Sequence, residues 1–188
     1  NVMVFRGLAW LAGMTLSGCV SVAHTEHLIA EDWRYATDPH GSKVILSGPL
    51  VENGQVGIEF FRVPRIDKKN NSWVELIYDL PNGSLADVKA ISLTYKSDKP
   101  LIIKLSQKDY GGLGDKSYAH YQIKLPQTGI VISKTVSLES FSRPGWTPMW
   151  SSDKGVIKEN INALYFVPDL TDKDGGSANL NITELALL

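Results

Sequence analysis

Four tryptophans, Trp33, Trp73, Trp146 and Trp150, stand beyond the N-terminal apolar run that holds Trp10. Trp146 and Trp150 fall in FSRPGWTPMW, a stretch broken by Pro and Gly and therefore a loop. Loops carry binding more often than packing. Trp73 opens SWVELIYDL on the face opposite its apolar set, and Tyr35, Tyr110, Tyr118 and Tyr165 complete the aromatic group. An indole or phenol outside a core can stack on the apolar face of a pyranose ring, while Arg, Asn, Gln, Asp or His beside it bond the hydroxyls at the rim. The competing role for any one of these rings is packing in a core or capping an edge.

Catalytic and metal chemistry has less support. The chain has no G-x-S-x-G, no phosphate-cradling glycine loop and no cysteine free for nucleophilic work. His24 and His27 in HTEH have a metal-pinching spacing, but two ligands do not make a site. Asp172 and Asp174 in DLTDKDGG begin like a calcium loop. The third oxygen position and the closing Glu are missing, which leaves a polar turn. His40, between Pro39 and Gly41, reads as a turn residue. The expectation is a protein that is not an enzyme.

These side chains must be held by strands. KVILSG, VGIEFFRV, SWVELIYDL, VKAISLTYKS, LIIKLSQ, YAHYQIKL, KTVSLESF, INALYFVP and ANLNITELALL are short runs between Gly, Pro, Asn and Asp. Val74, Leu76, Tyr78 and Leu80 alternate with Trp73, Glu75, Ile77 and Asp79, the pattern of a half-buried strand. DKGVIKENIN is the one helical candidate, and Gly155 weakens it. The sum is an all-β sandwich, a jelly roll.

The N-terminal segment carries a different chemistry. Arg6 precedes an apolar run from Gly7 to Leu16, too short to span a bilayer, which takes about 20 apolar residues. The tetrad Leu16-Ser17-Gly18-Cys19 resembles the bacterial lipobox and contains the single cysteine of the chain. That resemblance implies cleavage before Cys19, a diacylglycerol on its thiol and an acylated new amine. Several acyl chains anchor stably where one does not. The alternative is a buried free cysteine in an N-terminal helix. The division expected is a lipoprotein signal peptide over 1–18, a lipidated Cys19 with a tether to residue 30, and one domain over 31–188. The chain opens on Asn1 rather than Met, which is the expectation for a truncated sequence or an upstream start. Val20 after the cysteine favours the outer membrane in a Gram-negative cell envelope. A formal net charge of −1 without a basic block argues against nucleic acid as a partner. A lone cysteine leaves no intrachain disulfide. The N-x-S/T triplets at Asn70, Asn82 and Asn181 carry no glycosylation meaning beside a bacterial signal.

From Trp73 onward the chain resembles the family 11 carbohydrate-binding modules, jelly rolls of the galactose-binding-like group appended to bacterial β-glucanases. The resemblance rests on SWVELIYDLPNGSLADVKAISLTYKSDKPLIIKLSQKD, SYAHYQIKL, KTVSLESFSRPGW, NINALYFVPD and LNITELAL, in that order. It implies a groove on the concave sheet that takes a β-linked, β-glucan-like polysaccharide. It places Trp146, with Arg143 before it, Asn162, Tyr165, Trp73, and Tyr35 or Trp33 on the family's binding positions. Asn70 and Asn71 stand where the family can have an acid, and Pro168 stands in place of a later tyrosine. The resemblance also implies a structural calcium between Glu31 or Asp32 and the last strand, where Thr183 takes the usual Asp position with Glu184 adjacent.

Three readings follow. The first is a non-catalytic, glycan-binding surface or periplasmic lipoprotein, held to the membrane by its lipid and able to partner a glycoside hydrolase. The second is an envelope assembly protein whose aromatics anchor a protein partner. The third is a jelly-roll polysaccharide lyase or hydrolase, which needs either paired carboxylates or the set His120, Lys104 and Tyr118 to converge in a groove.

Overall fold

Among the described residues, the alternation read in the sequence becomes twelve strands in two antiparallel sheets. The computed structural model describes residues 24–107, 120–151 and 155–188. Cys19, Tyr110 and Tyr118 lie outside the described residues. The strands are β1 (His24–Thr25), β2 (Trp33–Thr37), β3 (Lys43–Ile45), β4 (Val51–Glu52), β5 (Gln55–Arg62) and β6 (Val74–Asp79). They continue with β7 (Ala90–Ser97), β8 (Leu101–Gln107), β9 (Tyr121–Leu125), β10 (Ile132–Ser137), β11 (Ile161–Pro168) and β12 (Gly176–Leu187). One sheet of seven strands runs β10-β7-β12-β5-β3, with β1 on β12 and β4 on β5. The other, of five, runs β2-β6-β11-β8-β9. This is a jelly-roll β-sandwich, as the strand pattern predicts.

One side of each strand fills the space between the sheets. Leu76 and Tyr78 of β6, Ile103 and Leu105 of β8, and Leu164 and Phe166 of β11 meet Phe60, Leu93, Tyr95 and Ile182 of the facing sheet, all buried. The two fully buried tyrosines keep their hydroxyls bonded, Tyr78 to Glu26 (2.9 Å) and Tyr95 to the Pro126 carbonyl (2.6 Å). A buried hydroxyl without a partner would cost about 1–3 kcal/mol.

Some boundaries differ from the expected ones. The residues read as a tether belong to the sandwich from His24: β1 pairs with the end of β12, Leu28 is buried, and Glu26 receives Tyr78. Trp33, a candidate for binding, is a core residue, stacked on Phe166 at 5.7 Å and tilted against Tyr78 at 4.9 Å. The helical candidate shrinks to a 3-10 turn over Lys158–Asn160, consistent with the left-handed Gly155 at φ +82°. KTVSLESF ends as strand at Ser137 and closes in a second such turn, Leu138–Ser140. The DLTDKDGG segment is the turn before β12. Gly175 within it has φ +60°, and a Cβ there would overlap the Arg62 carbonyl, so only glycine fits.

Candidate cleft on the five-stranded sheet

The outer face of the five-stranded sheet carries the residues left over when the core takes every second one. In register across it run Arg34, Ile77, Tyr165, Lys104 and Gln122, one from each strand in the order β2, β6, β11, β8, β9. Beside this row, where β6 begins and β11 ends, lies an open cleft of about 570 Å³. Trp73, Glu75, Lys104, Gln122, Trp146 and Asp172 are among the residues that line it.

Trp73, 40% exposed, is held by its backbone. Its N–H donates to the Asp38 carboxylate at 2.8 Å, and its carbonyl accepts from the Asp38 N–H at 3.1 Å. The N–H groups of His40 (2.7 Å) and Ser42 (3.5 Å) also reach Asp38. Burial pushes the Asp38 carboxyl up, but the Ser42 hydroxyl and the N–H groups of Trp73, His40 and Ser42 outweigh it and hold the group below its ordinary range. On the other side of Trp73, the buried Arg62 guanidinium binds Ser72 at both Oγ (3.0 Å) and the carbonyl (2.9 Å). The same guanidinium reaches Asn71 Oδ1 (3.3 Å), the Leu170 carbonyl (2.7 Å) and Asp172 (2.6 Å). Arg62 belongs to β5 of the opposite sheet and so ties the cleft wall to both layers. Arg65 adds a second contact to Asp172 at 3.3 Å. The Asp172 carboxyl lies below its ordinary range: burial raises it, and the hydrogen bond and charge of Arg62, the charge of Arg65 and the Asn71 contact lower it further than that.

Trp146, 66% exposed, comes from the loop after β10. That loop is stitched to β9 by the reciprocal bonds Gln122 N–H to Ser142 O (2.8 Å) and Ser142 N–H to Gln122 O (3.0 Å). A turn closed by Thr147 on the Pro144 carbonyl, through both N–H (3.1 Å) and hydroxyl (2.6 Å), then projects the indole.

The floor between the two indoles is charged. Burial raises the Glu75 carboxyl, opposed by the charges of Lys104 and Arg34. Burial lowers the Lys104 ammonium, with Glu75 opposing and Arg62 adding to the shift. His120, just before β9, has its ring 5.5 Å from the Tyr165 ring, edge to face. Burial, then the Lys104 charge, pulls its imidazole down to about 4, so it is neutral at pH 7.

No protein-family model matches the sequence, and no curated protein sequence matches it. Solved structures do. Two share a TM-score of 0.62 and 16% identity with this chain. One is the family 11 carbohydrate-binding module of the cellulosomal cellulase Lic26A-Cel5E of Clostridium thermocellum, matched over 89% of this chain and 96% of that one. The other is the family 11 module from the same organism in complex with a β-1,3-1,4-mixed-linked tetrasaccharide, matched over 88% and 95%. A solution structure of CtCBM11 matches with a TM-score of 0.54 at 18% identity, over 90% and 97%. The fold is that of a family 11 carbohydrate-binding module.

Within that fold the candidate residues separate. Trp73 and Trp146 line the cleft, and Tyr165 stands on the same sheet face beside Lys104. Arg143 is exposed on the loop that carries Trp146 and is not in the cleft lining. Asn162 is exposed at the β-bulge of β11, and its carbonyl accepts from the Leu80 N–H at 2.9 Å. It lies five residues, about 16 Å, from the Val167 end that borders the cleft. Tyr35 is 46% exposed on β2 but alternates with Arg34 and Ala36, sharing its side with the core residue Trp33. Of the lyase set, His120 and Lys104 do share one face. Among the described residues no three His, Cys, Asp or Glu side chains form a metal-holding group. Glu31 and Asp32 sit in the 3-10 turn before β2, and Glu184 pairs with Thr94 inside the seven-stranded sheet. Burial, then Glu31, Glu26 and Asp79, raises the Asp32 carboxyl. Sequence reasoning missed Glu75, Gln122, Asp38 and Arg62. For Glu75 the signal was there, since it alternates in phase with Trp73.

Proposed function

We propose that the chain is a non-catalytic glycan-binding protein that holds a β-linked polysaccharide in this cleft. The observation that carries the reading is the pairing of two exposed indoles, Trp73 and Trp146, with the polar groups of Glu75, Lys104 and Gln122 in one open cleft. Indoles take the ring faces, and the polar groups take the hydroxyls. The similar module whose structure includes a β-1,3-1,4-mixed-linked tetrasaccharide supports β-glucans as the first polymers to try. With the lipobox-like tetrad ending at Cys19, the reading extends to a lipid-anchored protein of the bacterial cell envelope.

Affinity electrophoresis against soluble β-glucans, xylans and mannans tests it. Retardation by one polymer class is expected for the native chain. Trp146→Ala and Trp73→Ala should each weaken it by roughly 2 kcal/mol, about thirtyfold in Kd, the cost of losing one ring's apolar burial. Full retardation in both variants, or none in the native chain, removes the reading.

A second reading has its own observation. Met149 (98% exposed) and Trp150 (70%) form an apolar tip outside the cleft. Such a tip suits docking to an envelope protein partner, and a pull-down with Met149→Ser separates that role from glycan binding.

A further inference from the structure

Glu75 and Lys104 stand on opposite sides of β11, one on β6 and one on β8. Neighbouring strands are about 4.8 Å apart, so their backbones are separated by roughly twice that. Lys104 is level with Tyr165. Glu75 comes one residue before Leu76, which is level with Phe166, so the two charges lie diagonally across the strand. Both are half-buried and line the cleft, and neither makes a hydrogen bond or an ion pair with a described residue. Other charges in the lining are already committed: Asp172 to Arg62 and Arg65, and Asp169 to Lys124 at 2.7 Å. A partly desolvated charge that makes no direct hydrogen bond costs free energy that a bound group can recover, even with an opposite charge across the strand. An ammonium needs acceptors and a carboxylate needs donors, and a hydroxyl-rimmed ring supplies both at once.

We propose that Glu75 and Lys104 grip the two edges of one uncharged sugar unit lying across β11, and thereby set the cleft against glycans that carry a carboxylate or an ammonium on each unit. The proposal rests on the glycan reading of the same cleft. A uronate unit whose carboxylate edge faces β6 is repelled by Glu75, and a glucosaminium unit whose ammonium edge faces β8 is repelled by Lys104. Each repulsion acts in a partly dewatered site, where charge interactions are stronger than in bulk water. Hydroxyls that accept from Lys104 and donate to Glu75 through one ring also polarise one another, so the two contacts depend on each other.

The test is a set of binding isotherms for the native chain, Glu75→Gln, Lys104→Gln and the double variant. The ligands are a neutral polymer retained by the native chain, a polyuronate and chitosan. Each single variant is expected to lose about tenfold on the neutral polymer, the double variant little more than the worse single one. Glu75→Gln should gain measurable polyuronate binding, and Lys104→Gln measurable chitosan binding. Each amide removes one desolvated charge and leaves the other less compensated, so a cooperative thermal transition near the native midpoint shows that the variants fold. Native affinity for the neutral polymer in both single variants overturns the pair, as does equal binding of charged and neutral polymers by the native chain. If Trp73→Ala and Trp146→Ala lose binding while the two amide variants do not, the pair fails and the glycan reading stands. If the native chain binds none of the polymers, both fail.

Discussion

Asp38 shows how one side chain outside the cleft can govern a residue inside it. Its carboxylate gathers three backbone N–H groups, and one of them belongs to Trp73. Its folded pKa is below the ordinary 3.8, so the carboxylate favours the folded state above that value and loses this contribution as pH falls through the folded pKa. Asp38→Asn should lower stability by about 2 kcal/mol at pH 7, since hydrogen bonds to a charged group contribute more than neutral ones. It should also flatten the acid end of the stability profile, and chemical denaturation at several pH values checks both. The residue was legible in the sequence only as a neighbour of a turn. Its partner Trp73 lies 35 positions along the chain, and nothing local announces that distance.

At the level of elements, alternation carried most of the information. VELIYD reads directly as a strand with Glu75 and Trp73 on one side, and the structure keeps that parity. Strands without full alternation were harder: β2 is an edge strand with one buried residue, and β1 is two residues long. Their place follows from the strands they meet. The pairing of β5 with β12, which brings Arg62 beside Gly176 and its side chain to the 170–172 turn, is likewise a product of the sandwich. Arg62→Leu should cost on the order of 3 kcal/mol, because it leaves the Ser72 and Leu170 carbonyls without their partner. A melt reads the loss, and the glycan isotherm should weaken in parallel because the same bonds set the cleft wall.

For the whole molecule, acid is the informative stress. His120 has a folded pKa of about 4 against an ordinary 6.5, so the unfolded chain takes up its proton first as pH falls. The stability this neutral imidazole contributes is full above pH 6.5 and is lost down to about pH 4. Asp32 and Glu75, with raised pKa values, act in the opposite sense and offset part of the loss. The thermal midpoint should therefore fall between pH 7 and pH 4, with a shallower slope in His120→Gln.

The course of β12 has a mechanical consequence. Gly176, at its start, is paired with Arg62 at the cleft wall, and Leu187, at its other end, is paired with His24. At about 3.4 Å per residue these points are some 37 Å apart. On the proposed glycan reading, tension between a bound polymer and the chain upstream of His24 runs along the strand and loads its ladder with β5 and β7 in shear, where many bonds resist together. The pairing of β1, two residues continued by the Glu26 N–H to Leu185 carbonyl bond, shares the same line of load among far fewer bonds. It is the element that yields first, a short extensible leash ahead of a stiff body.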